Sequence, residues 1–132
     1  MPGKCARAVS LLCDYMNKTP ELKQFTKGWE SRVMFELSGE APFDVVFERD
    51  LTVNFEQPPK NGSTPDVTFY CDSETFFGLM TGRLDQDEAF SNGLVEVKGS
   101  IVDSVKFRHA AEITQKRHGT LFTVLRAVSR FT

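Results

Sequence analysis

The apolar residues of this chain change period four times, and that alternation restricts the fold more than any single motif does. Ala6, Val9, Leu12, Cys13 and Met16 recur at helical spacing, so residues 4–17 are predicted to form an amphipathic helix that stops near Asn17 and before Pro20. A short second helix is expected over residues 20–27. The period then drops to two. Val33, Phe35 and Leu37 alternate with Arg32, Met34 and Glu36, and Leu51, Val53 and Phe55 alternate with Thr52, Asn54 and Glu56, with a further strand over Phe43 to Glu48 between them. The cluster QPPKNGSTPD, residues 57–66, reads as a loop, after which Val67, Phe69 and Cys71 point one way and Thr68 and Tyr70 the other.

The helical period returns at Asp72, a good N-cap, with Glu74 in the first turn where the helix dipole favours negative charge. Phe76, Leu79 and Met80 form the apolar face of this helix, and Gly82 is placed to end it in the left-handed conformation. Asp85 with Glu88 makes a capping box for a very short helix around Ala89 and Phe90, closed by Gly93. Val95 and Val97 read as a last strand. Ser100 and Asp103 then form another capping box, for a helix whose apolar residues are taken to be Ile101, Val102 and Val105. Leu121, Val124, Leu125 and Val128 sit at i, i+3, i+4 and i+7 and predict a terminal amphipathic helix. Helix, antiparallel-type strands, helices, strand and helix in that order give an α+β fold with the helices on one face of the sheet.

At 132 residues the expectation is one domain spanning 1–132. No apolar run approaches the roughly 18 residues needed to cross a bilayer, and the first residues lack the continuous apolar core of a secretion signal. The three cysteines, Cys5, Cys13 and Cys71, contain no C-x-x-C pair. If one helix carries Cys5 and Cys13, its rise holds them about 12 Å apart, too far to bridge, so reduced thiols and a cytoplasmic compartment are expected.

Charge and motif content exclude several functions. Sixteen basic against 18 acidic residues give a formal charge of −2, which argues against a nucleic-acid partner. The aromatic residues are 12 Phe, two Tyr and one Trp, a set suited to burial more than to base stacking. No G-x-G-x-x-G or G-x-x-x-x-G-K-[ST] phosphate cradle is present, and no cofactor is expected. His109 and His118 are nine apart, outside any H-E-x-x-H, and no Cys pair joins them, so no metal site is expected. There is no G-x-S-x-G elbow, and Asp85, Asp87 and Glu88 read as capping and solvated charges. The chain is therefore not expected to be an enzyme.

Residues 66–100 resemble the sterol carrier protein 2 (SCP2) family. Leu79, Thr81, Gly82 and Arg83 stand at the positions of that family's L-x-T-G-K, followed by Asp85 and by Ala89 with Phe90; Gly93, Val95, Val97 and Gly99 match its closing strand, and Asp66, Val67 and Thr68 the strand before the helix. Gln86 stands where Pro is common, Leu94 replaces a Lys, and Ser100 replaces the final Asn. The resemblance implies a five-stranded, mainly antiparallel sheet covered on one face by helices, with the extra C-terminal helix added here. It also implies an apolar tunnel for a fatty acyl chain, a fatty acyl-CoA, a sterol or a similar lipid. Candidate wall residues, taken from the matching segment and the helix after it, are Phe77, Met80, Leu84, Phe90, Val95, Val97, Ile101 and Val105. Phe77 and Met80 stand out, the first beside Gly78 and the second because Met adapts to variable shapes.

Magnitudes bear on whether such a tunnel stays open. A chain of roughly sixteen carbons offers on the order of 12 kcal/mol at about 0.8 kcal/mol per methylene, against an association cost of about 4 to 15 kcal/mol. A dry void of roughly 300 Å³ costs about 7 kcal/mol at about 24 cal/mol per Å³, so an empty tunnel is expected to collapse, fill with water or keep its lipid. The competing expectation is an accessory or assembly module for enzymes of lipid or quinone metabolism, with a filled or reduced pocket. Residues 114–132 carry Lys116, Arg117, Arg126 and Arg130 and no acid, so the terminal helix is read as packing on the domain, as a lid, as a dimer contact, or as a transient docking face for an anionic membrane.

Overall fold

The computed structural model describes residues 3–59 and 64–119. Its elements run α1 (Lys4–Asn17), α2 (Pro20–Thr26), β1 (Ser31–Ser38), β2 (Phe43–Phe47), β3 (Val53–Glu56), β4 (Val67–Asp72), α3 (Ser73–Met80), α4 (Gln86–Ser91), β5 (Glu96–Gly99) and α5 (Ile101–Arg117). The predicted terminal helix over 121–128 lies outside the described residues.

The strands form one sheet in the order β3-β2-β1-β4-β5. Three of its neighbouring pairs are antiparallel. β1 and β4 are parallel, so the sheet is mixed. Between β1 and β4 the chain passes through β2 and β3, and β4 lies on the other side of β1 from them; a parallel pair requires a long connection of this kind. Register aligns Val33 with Val45 and Val67, and Phe35 with Phe43 and Phe69, so alternate apolar residues of the three central strands share one face. That face is covered by α1, α3 and α5. Arg32, Met34, Asp44, Val46, Thr68 and Tyr70 share the other, where Arg32 Nε donates to Asp44 Oδ2 at 2.5 Å and both residues are buried.

β3 begins at Val53, two residues later than the alternation suggests. Leu51 has φ 74° and sits in the β2–β3 turn, where Asp50 Oδ1 accepts from the amide and hydroxyl of Thr52. The turn needs a left-handed residue, and Leu51 takes that conformation outside the ladder.

α3 and α4 both end as glycine placement predicts. Arg83 N–H donates to Gly78 C=O and Gly82 N–H to Leu79 C=O, and the same pair of bonds recurs from Leu94 to Ala89 and from Gly93 to Phe90. These are Schellman ends, and they require the positive φ that Gly82 (78°) and Gly93 (73°) adopt. The helix starts agree also: Asp72 accepts from Thr75 N–H, Asp85 from Glu88 N–H and Ser100 from Asp103 N–H. Asp103 does not complete its box. Its carboxylate takes hydrogen bonds from Trp29 Nε1–H and Ser31 Oγ–H, fixing the start of α5 to the start of β1.

The start of α1 has no side-chain cap of its own, since Gly3 occupies the N-cap. Glu40, in the β1–β2 turn, supplies one across space by accepting from the amides of Cys5 (3.0 Å) and Ala6 (3.2 Å). A charged acceptor at a helix N-terminus satisfies orphan donors and opposes the dipole. Glu40→Ala is expected to lower unfolding stability by about 1–2 kcal/mol, measured by urea titration. No change would mean that water caps α1 as well as Glu40 does. Cys5 and Cys13 lie inside α1 with thiol pKa values pushed up, chiefly by burial, and Cys71 is raised to about 11 by burial and by the neighbouring Asp72 charge. All three thiols are free and serve as packing groups. Among the described residues no helix is long and apolar enough to cross a membrane.

Candidate functional site

Phe35 is the hub of the interior. Its ring stacks on Phe43 (5.2 Å) and Phe69 (5.4 Å) across the sheet and meets the edges of Phe76 from α3 and Phe107 from α5, each at 5.3 Å. On the β4–β5 side of this cluster the helices do not close completely. A cavity of about 50 Å³ remains between the sheet and α3, α4 and α5. Phe35 and Phe69 form its floor; Phe76, Leu79 and Met80 of α3, Phe90 of α4, Val95, and Phe107 and Ala111 of α5 form its walls. Its polar lining comes from three side chains, Gln86, Arg108 and Gln115.

Arg108 is fixed from three directions. Its guanidinium lies 4.3 Å over the Phe90 ring, Nε donates to Gln86 Oε1 at 3.2 Å, and a terminal nitrogen meets Asp87 Oδ1 at 3.2 Å. The strap between α5 and α4 therefore closes the cavity at its polar side. α4 is lightly held otherwise, with Ala89 its one fully buried residue and Phe90 half-buried.

Of the eight residues proposed as tunnel wall, the structure brings Met80, Phe90 and Val95 together around this cavity. Phe77 is buried but turns toward α1, where Lys4 Nζ lies 5.1 Å from its ring. Leu84 is 40% exposed and folds over Gly78, filling the gap beside Phe77 from outside. Val97 points to the core face opposite Phe69 but is not part of the cavity lining. Ile101 and Val105 are 62% and 41% exposed, as is Val102 at 65%, so the apolar residues expected to anchor α5 lie on its outer side. The inward side is Ser104, Phe107, Ala110, Ala111 and Thr114. That stripe also has helical spacing, but its small and hydroxyl residues give a weaker apolar signal than the branched side chains beside it. Ser104 and Thr114 are accommodated because their hydroxyls donate to Ile101 C=O and Ala110 C=O within the helix.

Chemically the site is a small apolar chamber with one cation and two amides at its edge. Among its described lining residues there is no nucleophile and no carboxylate or imidazole. Among the described residues no group of His, Cys, Asp and Glu side chains is arranged to hold a metal ion.

A family model, the SCP-2 sterol transfer family, matches residues 11–112. A comparison with curated proteins finds no match. Among solved structures, a UbiJ-SCP2 ubiquinone synthesis protein superposes with a TM-score of 0.63 at 18% identity, covering 83% of this chain and 94% of its own. The conserved protein TT1886 from Thermus thermophilus, described as possibly a sterol carrier protein, gives 0.58 at 17% identity, covering 92% and 86%. Sterol carrier protein domain 2 of Helicoverpa armigera gives 0.55 at 21% identity, covering 79% and 82%. At these identities the structural likenesses speak to the fold.

Proposed function

Because the chain belongs to the SCP-2 sterol transfer family, we propose that it is a non-enzymatic carrier that shields an apolar chain from water between its sheet and helices α3, α4 and α5. The observation that carries this reading is the apolar cavity beside Phe35, a void at the position where a solid core would have been the more stable arrangement. A small-molecule site spans roughly 300–1,000 Å³. At about 50 Å³ the cavity is the collapsed state of such a site, and a long chain enters by displacing a wall.

α4 is the wall that moves at least cost. It is six residues long, is flanked by the left-handed glycines Gly82 and Gly93, and is fastened to α5 chiefly through Arg108. Filling replaces a void with dispersion contacts, so the ligand gains burial and the protein loses a packing defect. Protein purified gently from cells is expected to carry lipid, detected at near-stoichiometric amount by solvent extraction and mass spectrometry, and delipidated protein is expected to bind fluorescent fatty acids at micromolar or tighter affinity. Absence of both lipid and probe binding would overturn the carrier reading.

The small size of the cavity favours one second reading, a non-catalytic accessory module for enzymes of lipid or quinone metabolism in which the pocket has been reduced. A ubiquinone synthesis protein is among the structures that share the fold. On that reading the apolar chamber is residual, and the working surface lies outside it.

A further inference from the structure

From the arrangement of Arg108, Asp87, Gln86 and Phe90 we infer that the site is built for a single-chain amphiphile with an anionic oxygen head, a carboxylate or a phosphate monoester, and that Asp87 occupies the head-group position while the site is empty. This rests on the carrier reading above. A chain lying against the cavity face of Phe90 ends at the edge of the ring, where the Arg108 guanidinium is stacked at 4.3 Å. Gln86 Oε1 holds Nε at 3.2 Å, so the orientation of the guanidinium does not depend on Asp87. Arg108 is thus a preorganised, half-sheltered cation, its side chain 26% exposed, at the polar end of an otherwise apolar chamber. Such a group offers an oxyanion two donors in one plane.

Asp87 is the part that gives way. Its side chain is 89% exposed, and it meets the guanidinium through one oxygen at 3.2 Å. Released, it returns to water with little loss, while an incoming oxyanion keeps Arg108 neutralised, so the exchange conserves charge at the cation. The outer groove next to the strap carries Asp85, Glu88 and Glu112 against Arg83. Those exposed carboxylates repel an anion on approach, a repulsion that salt weakens, whereas the partly sheltered Arg108 contact is screened less. An uncharged head cannot replace Asp87 at the cation, so a chain that carries one binds without that exchange and more weakly. The exchange also couples recognition to entry, because it cuts one of the ties that hold α4 against α5.

Oleic acid, oleyl phosphate and oleyl alcohol share one chain and differ in the head, so their dissociation constants for the delipidated full chain separate the contributions. The expected result is at least tenfold tighter binding of one or both anions than of the alcohol, and the better of the two identifies the head. In Arg108→Gln that preference disappears, whatever the change in alcohol affinity itself, with cooperative urea unfolding serving as the check on folding. In Asp87→Asn the anions bind severalfold tighter and the alcohol does not, an asymmetry that simple loosening of α4 would not produce. Equal affinity for all three probes in the wild type, or a preference that survives Arg108→Gln, overturns the head-group assignment and leaves the carrier intact; binding of none of the three overturns both. If Arg108→Gln fails to fold, the Asp87→Asn comparison decides alone, with an unchanged anion preference counting against the inference.

Discussion

Phe35→Ala is expected to remove about 3–5 kcal/mol of stability, a large share of the roughly 5–15 kcal/mol that holds a domain together. The residue is fully buried at the middle of the central strand β1, with its neighbours fixed from both directions. Phe43 and Phe69 are held opposite it by the ladders of β2 and β4, while Phe76 and Phe107 approach from helices that are separately tied down. None of these four rings can move into the vacated space without breaking strand register or lifting a helix. Aromatic contacts of this geometry each contribute about 0.5–1.5 kcal/mol beyond area burial, although four sharing one ring do not add independently. The new void would also merge with the cavity that Phe35 already borders, so the site has little scope to collapse. Urea unfolding gives the measurement, with the midpoint shifted and the slope preserved if the native state keeps its shape. A loss below about 1 kcal/mol would show that the interior repacks around position 35 and that the ring cluster is not the element that fixes the sheet to its helices.

Sequence made the local features of this architecture legible and left the long-range ones dark, for a physical reason that particular residues display. Helix ends are decided within six residues, so the sequence alone assigns Asp72, Gly82, Asp85, Gly93 and Ser100 their capping roles, and the structure has each of them there. Strand faces also follow from alternation. What alternation cannot reveal is who sits opposite, so nothing in the sequence announces that β4 pairs in parallel with β1, or that Glu40 caps a helix that begins thirty-six residues before it. Arg32 and Asp44 occupy the face that alternation assigns to polar residues, yet they are buried, a consequence of their mutual pairing in adjacent strands. The site suffered from a different ambiguity. α5 has two stripes at helical spacing, and burial belongs to the one with Phe107, Ala110 and Ala111, whereas hydrophobicity alone selects Ile101, Val102 and Val105. Phe107 faces inward there against Phe35 and Phe69, and the small residues beside it bring α5 close to the sheet. The aromatic floor itself was visible as sheet core but not as part of a cavity.

Ala111→Leu should separate a working cavity from a residual one. Ala111 lies on the inward side of α5, 6% exposed, with its methyl group toward the cavity. Three added carbons bring about 2 kcal/mol of apolar burial at about 0.8 kcal/mol per methylene, against an overpacking cost of about 1–3 kcal/mol once they exceed the free space. The two nearly cancel, and the variant is expected to unfold within about 1 kcal/mol of the wild type. Ligand binding has no such compensation, because the leucine occupies the space from which the site must expand, and affinity for a long-chain fluorescent fatty acid is expected to fall at least tenfold. Val105→Leu, earlier on the exposed side of the same helix, adds bulk to α5 without touching the cavity and should change neither quantity. A chain that binds Ala111→Leu as tightly as wild type cannot be seated against Phe35 and Met80, and the exposed apolar residues Ile101, Val102 and Val105 would then be the surface to which it adheres.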